Sequence, residues 1–190
     1  MKTQNIVWYS VFIATFFFSC DPKSSESLES SSSEELAMET GEVDNRPSPL
    51  EVKDGQIGGK SFKIHYSSPA VKDRAIWGDL VPYNVVWRTG ANEATYVELA
   101  EDFSVEGEIL PAGKYSLFTI PKESTDWTVI FNSEWDLEHG HFQYDEENDV
   151  LRVDVSPVWE ENSQERLAID IESPGIVIRW EKLKLPISIN

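Results

Sequence analysis

Residues 61–67 read SFKIHYS, and that alternation decides the fold class. Phe62, Ile64 and Tyr66 fall on one side and Lys63 and His65 on the other. A period of two is the mark of a strand with one buried and one wetted face. The same pattern returns in ATYVELA (94–100), where Thr95, Val97 and Leu99 oppose Tyr96 and Glu98. KYSLFTI, WTVIFN, VLRVDV, RLAIDI, GIVIRWE and LKLPISI follow, most of them rich in β-branched and aromatic residues that suit a pleated surface.

Turn residues punctuate these runs. VEGE separates Phe103 from Ile109, ESPG precedes Ile176, and PKESTD and DEEND stand between other runs. LPAGKYSLFTIP reads as a hairpin turned by Pro111 and Gly113, and GDLVPYNVVW as a connection whose Leu80, Val81 and Tyr83 tuck under the sheet. Pro186 inside the last run calls for an edge position or a bulge. No segment carries a helical stripe over three turns. The expectation is an all-β, antiparallel β-sandwich, jelly-roll-like, forming one domain over residues 57–190.

Ahead of the domain the chain changes character. Residues 1–19 hold Lys2 and then an apolar run of about 13 residues, shorter than the roughly 20 that span a bilayer, as in an export signal. The run ends in Ser19-Cys20, and Cys20 is the one cysteine of the chain. A small residue before a lone cysteine at this place resembles a lipoprotein signal, although Phe17 and Phe18 stand where leucine and a small residue are usual. Cys20 is therefore the expected lipid attachment point, and the membrane the expected partner through that lipid. Residues 20–56 are Ser- and Glu-rich, lack aromatics and carry net −7; they read as a disordered, extended tether.

Charge excludes some functions. Residues 57–190 carry 24 acidic against 12 basic side chains, so a nucleic-acid partner is disfavoured, as is direct adhesion to anionic lipid. No phosphate loop, serine elbow or zinc-finger cysteine pattern is present, and no cofactor is called for.

The runs SSPAVKDRAIWGDLVPYNVVWRTGANEATYVEL, LPAGKYSLFTIP, WTVIFN, DVLRVDVSP, ERLAIDI and IRWEKLKLPISI, in this order, resemble the bacterial domain-of-unknown-function family 2911. The resemblance implies a compact, mainly β domain on an exported or lipid-anchored protein of Gram-negative bacteria. It brings no activity and no site residue.

The richest local chemistry is WRTGANEAT (87–95). It admits three interpretations. As a binding loop, Arg88 would grip an anion, Trp87 and nearby Trp77 would offer flat faces to a sugar or ring, and Asn92 and Glu93 would meet hydroxyls. As a reaction centre, Glu93 would work with a second carboxylate as in a glycosidase. As a structural corner, Gly90 and Asn92 would take positive φ, Arg88 would pair with Glu93, and Trp87 would be core. A weaker candidate is His139-Gly140-His141: on a strand, His139 and His141 would share a face and could bind a metal, given a third ligand such as His65 or Asp145. The expectation is a non-catalytic binding or assembly module for a glycan, peptide or envelope protein, lipid-anchored in the Gram-negative envelope, outer membrane favoured. The alternatives are a glycan-directed hydrolase using Glu93 and an architectural part of an envelope complex.

Overall fold

The structure, a computed structural model, describes residues 45–190. The expected signal sequence, Cys20 and the tether as far as residue 44 lie outside the described residues. The fold is all-β and antiparallel, and among the described residues helix is limited to two single 3-10 turns at Gly140–Phe142 and Glu146–Asn148.

One layer is a six-stranded sheet. Its strands, in spatial order, are β1 (Leu50–Ile57), β2 (Lys60–Ser67), β3 (Tyr96–Leu99), β6 (Gly113–Ile120), β7 (Trp127–Asn132) and β8 (Asp149–Val155). The second layer pairs β9 (Val158–Glu172) with β10 (Gly175–Ser188). The short hairpin β4 (Phe103–Val105) and β5 (Glu108–Leu110) joins it, because Ser104 and Asn190 exchange backbone bonds of 2.9 Å each way. The hairpin turns on Glu106 and Gly107, both at positive φ, as a two-residue connection requires.

The two layers enclose one apolar core. Phe62, Ile64, Val97, Leu117, Val129 and Phe131 face Ile169, Ile176, Ile178, Trp180, Leu185 and Ile187. The buried side of β2 is the one the alternation assigned: Phe62, Ile64 and Tyr66 are buried. GIVIRWE and LKLPISI are one strand rather than two. In β10 the side chains that join the core are even-numbered from Ile176 to Trp180 and odd-numbered from Leu183 onward. The switch falls at a bulge in the β9 pairing, where Glu181 takes φ 53°. One surplus residue in a strand moves every later side chain to the opposite face. Pro186 lies beyond Lys184, the last residue of β10 that pairs with β9, so its missing N–H breaks no rung of that ladder.

Three sequence expectations need correction. The tether was expected to run to Gln56, but Leu50–Ile57 form β1, paired with β2 over all eight residues. The strand escapes notice because its inward positions ahead of Ile57, namely Glu51, Lys53 and Gly55, carry no apolar side chain to set a pattern. Pro111–Ala112 is a crossover between layers rather than a hairpin turn: β5 pairs with β4, whereas β6 lies between β3 and β7. Of the side chains expected to tuck under the sheet from the 78–87 connection, Val81 is buried but Leu80 is exposed.

The sheet's outer face is half covered. Phe118 and Ile130 point outward from β6 and β7, yet both are fully buried beneath Leu137 and Tyr144 of the 133–148 loop. That loop is fastened at both ends. Ser116 Oγ donates to Glu134 O at 2.8 Å, and Asn132 Nδ2 donates to Asp145 O and Asp149 Oδ1, each at 2.8 Å. Tyr144 O–H donates to Asp149 Oδ2 (2.7 Å) and accepts from Arg152 (2.6 Å). Burial and the Asp149 carboxylate push the Tyr144 hydroxyl up to about 12, so it stays a donor at neutral pH. The uncovered half, over β1, β2 and β3, is where the candidate site lies.

Candidate functional site

The residues 84–99 follow one track along β6. Trp87 and Thr119 exchange backbone bonds of 2.8 and 2.9 Å, and Leu117 N–H donates to Thr95 O at 2.7 Å. Residues 117–119 of β6 thus face the whole stretch 87–95 of the opposing chain. WRTGANEAT is therefore a loop extruded from a single strand track, not a corner between two strands.

Its interior is built from small polar side chains. Thr89, Thr95 and Thr119 are fully buried; Thr89 Oγ1 meets Thr119 Oγ1 at 3.2 Å, and Thr95 Oγ1 donates to Thr89 O at 3.0 Å. The positive φ expected of Gly90 falls on Thr89 (53°) instead, while Asn92 takes it as expected (58°). Gly90 is needed for close approach: a Cβ there would lie 2.8 Å from Thr95 Oγ1 and 3.1 Å from Ser67 O.

Arg88 and Glu93 do not bond to each other. Arg88 Nη1 donates to Asn92 O at 2.7 Å and to His139 O at 3.2 Å, tying this loop to the 133–148 loop. Its stem packs on Gly140, which sits at φ 52° and where a Cβ would come within 2.5 Å of Arg88 Cδ. Burial lowers the Arg88 pKa against the pull of Glu93. Glu93 instead accepts from Arg46 Nη1 at 2.5 Å and from Ser67 Oγ at 3.1 Å. Partial burial raises its pKa, but its own backbone N–H, the two side-chain donors and the Arg46 charge outweigh that and hold the carboxyl below its usual range. Asn92 Nδ2 donates to Ser48 O at 3.1 Å, and Ser68 N–H to Pro49 O at 2.8 Å. The extruded loop and its neighbour β2 therefore grip residues 46–49, the segment that leads into β1.

The tryptophans have another office. Trp77 stands amid Trp87, Trp127, Trp159 and Trp180, with ring centroids 5.0–6.1 Å away. Trp87 stacks on Trp180 at 5.7 Å and is buried. These rings are core and core margin, so Trp77 and Trp87 do not join Glu93 at a binding surface. His139 and His141 flank Gly140 in a 3-10 turn of the 133–148 loop and do not share a strand face. Burial and the Arg88 charge lower the His141 pKa. Among the described residues no group of three His, Cys, Asp or Glu side chains could hold a metal.

Glu93 does open onto a recess of ≈ 210 Å³, walled by Leu50, His65, Ser67, Tyr96, Trp135 and the 136–138 segment. Beside it lies a shallower one of ≈ 440 Å³, which includes Lys63, Glu98, Gly113 and Lys114. Their linings touch each other. His65 Nε2 lies 3.1 Å from Glu98 Oε1, and Lys114 Nζ lies 3.4 Å from the same oxygen and 4.6 Å above the Trp135 ring. His65 stacks flat on Tyr96 at 4.3 Å, and Tyr96 leans on Trp135 at 5.2 Å. Burial, with Lys63 and Lys114 near by, lowers the His65 pKa against the effect of Glu98, so the ring is mainly neutral at pH 7. The result is a groove across β2, β3 and β6, with carboxylates Glu93, Asp136 and Glu138 at one end, aromatic rings in the middle and lysines at the other.

Of this groove, Glu93 stood among the sequence candidates for binding or catalysis, and His65 only as a possible third metal ligand. Tyr96, Glu98, Lys114 and Trp135 were missed. Tyr96 gave a signal: a large aromatic on the polar side of an alternating strand. Trp135 gave a weaker one, an indole amid the carboxylates of EWDLE.

A model of a family of proteins of unknown function, DUF2911, matches residues 48–189. The chain belongs to this family. The DUF2911 match begins two residues ahead of β1 and ends at Ile189, so it spans both layers and both recesses. No curated protein and no solved structure matches the chain.

Proposed function

We propose that this protein is a lipid-anchored component of the Gram-negative cell envelope, attached through Cys20, whose DUF2911 domain is a non-catalytic binding module. The groove over β2, β3 and β6 is its ligand seat. The single observation that carries this is the contact between the two linings, His65 with Glu98 and Lys114 with Trp135. Two recesses of ≈ 210 and ≈ 440 Å³ adjoin on a flat sheet face, and ionised and aromatic groups are held between them by mutual contacts. The larger recess alone falls within the range of about 300–1,000 Å³ for pockets that enclose compact ligands, and a ligand that fills both recesses would lie across the strands. A spectrum of ¹⁵N-labelled protein titrated with peptides and oligosaccharides tests it. Shifts should gather at the Trp135 indole and at residues 63–67, 93–98, 113–114 and 135–138; shifts confined to other surfaces, or none, would refute it. Lipidation is tested by mass: the mature chain should carry acyl chains that a Cys20→Ser variant lacks.

A glycan-directed hydrolase is favoured by one observation, that Asp136 and Glu138 line the same recess as Glu93. With its carboxyl held ionised by Arg46 and Ser67, Glu93 suits a base or nucleophile and not the proton donor. Product release from an oligosaccharide, abolished in Glu93→Gln, would establish that alternative.

A further inference from the structure

Taking the groove as the ligand seat, we propose that its acidic end receives a basic side chain, a guanidinium or ammonium borne on an extended peptide. Three carboxylates, Glu93, Asp136 and Glu138, line the smaller recess. Asp136 and Glu138 have no ion-pair partner among the described residues. His65, mainly neutral, does little to offset them. Leu50, Ala94 and Leu137 supply an apolar wall against which an aliphatic stem would lie.

The chain itself demonstrates the chemistry twice. Arg46, from the segment entering β1, already places a guanidinium on Glu93 at 2.5 Å. Lys114 already places an ammonium over Trp135 at 4.6 Å. Both ways in which proteins hold organic cations are thus built into one groove and filled by the protein's own side chains. A sugar fits less well. Tyr96 is packed between His65 and Trp135, and Trp135 carries Lys114, so neither ring offers an unencumbered platform for stacking. At the other end, Lys63 and Lys114 are matched by Asp54 at 3.3 Å and Glu98 at 3.4 Å, which leaves that recess near neutral and able to accept peptide backbone. Arg46 is then a competitor as well as a latch: an incoming cation shares or takes Glu93, and the segment 46–49 loosens.

The test is calorimetric titration of the full chain with four probes: acetyl-Ala-Arg-Ala-amide, its citrulline counterpart of the same shape without charge, agmatine, and chitotriose. The arginine peptide should bind about tenfold or more tighter than the citrulline peptide, a difference of about 1.4 kcal/mol. Raising salt should weaken it. The pair Asp136→Asn with Glu138→Gln, which leaves the Arg46 latch intact, should abolish most of that preference. Arg46→Ala should strengthen binding several-fold, with Lys60→Ala, which lies apart from the groove lining, giving no comparable gain. Equal affinity for the two peptides would overturn the inference. Agmatine binding as tightly as the peptide would overturn the peptide as the source of the cation. Chitotriose binding alone would overturn the basic ligand while leaving the groove as a seat. No binding of any probe at millimolar concentration, in wild type and in Arg46→Ala alike, would overturn both.

Discussion

Replacing Arg88 by alanine separates structure from recognition in WRTGANEAT. The side chain makes two hydrogen bonds to carbonyls, to Asn92 O at 2.7 Å and His139 O at 3.2 Å. Each contributes about 0.5–1.5 kcal/mol, since water can reach both carbonyls once the guanidinium is gone. The stem against Gly140 adds about 1 kcal/mol of buried methylene. The expected loss is about 2–4 kcal/mol. For a domain of this length about 3–4 °C accompanies each kcal/mol, so the melting midpoint should fall by roughly 6–16 °C in a circular dichroism melt. Arg88→Lys, which keeps the stem and one donor, should recover about half. Glu93→Gln should cost less than about 1 kcal/mol, because its partner Arg46 sits at the exposed rim. The double variant should show almost no coupling, as the two residues share no bond. A midpoint unchanged in Arg88→Ala, or coupling above about 1 kcal/mol between Arg88 and Glu93, would refute the account of the loop given above.

Trp77→Ala should destabilise by about 3 kcal/mol, towards the lower end for a lost tryptophan because Trp77 is only partly buried, and should weaken the near-ultraviolet dichroism of the stacked indoles. Gly140→Ala should cost about 1–2 kcal/mol for the left-handed backbone alone, plus the crowding on Arg88, read as a lower urea midpoint with unchanged slope. The Glu93 pKa is depressed on folding, so its contribution is present above the unfolded-state value near 4.5 and is lost as pH falls through the lower folded value. Amides of residues 46–50 should therefore lose protection under acid before the core strands do. A 46–50 segment that stays protected until global unfolding would contradict this.

The β class was legible because burial and strand period coincide in residues such as Phe62, Ile64 and Tyr66. It was illegible where they part company. β1 turns Glu51 and Lys53 inward at the sheet margin and so looks like tether. β6 is buried on both faces because a distant loop covers Phe118, and no local pattern announces a cover. Pro111 and Gly113 signalled a turn correctly but could not say that the turn changes layers. The groove was harder still. Tyr96, Lys114 and Trp135 come from three separate segments, and only the β3–β6 pairing with the fold of the 133–148 loop brings them together. Glu93 was singled out for its chemistry, yet its partner was misjudged: Arg88 is near in sequence, whereas Arg46 arrives from 47 residues away.

The grip on residues 46–49 has a mechanical consequence. A pull on the N-terminal side of β1 loads the ladder from its Leu50–Ser67 rung, so the strand would peel from β2 one rung at a time, the geometry in which β-sheets yield at low force. The Arg46, Ser48 and Pro49 contacts stand in front of that first rung. They act as a strain relief, in the manner of the collar where a cable enters its plug, and drag is spent there before it reaches the sheet.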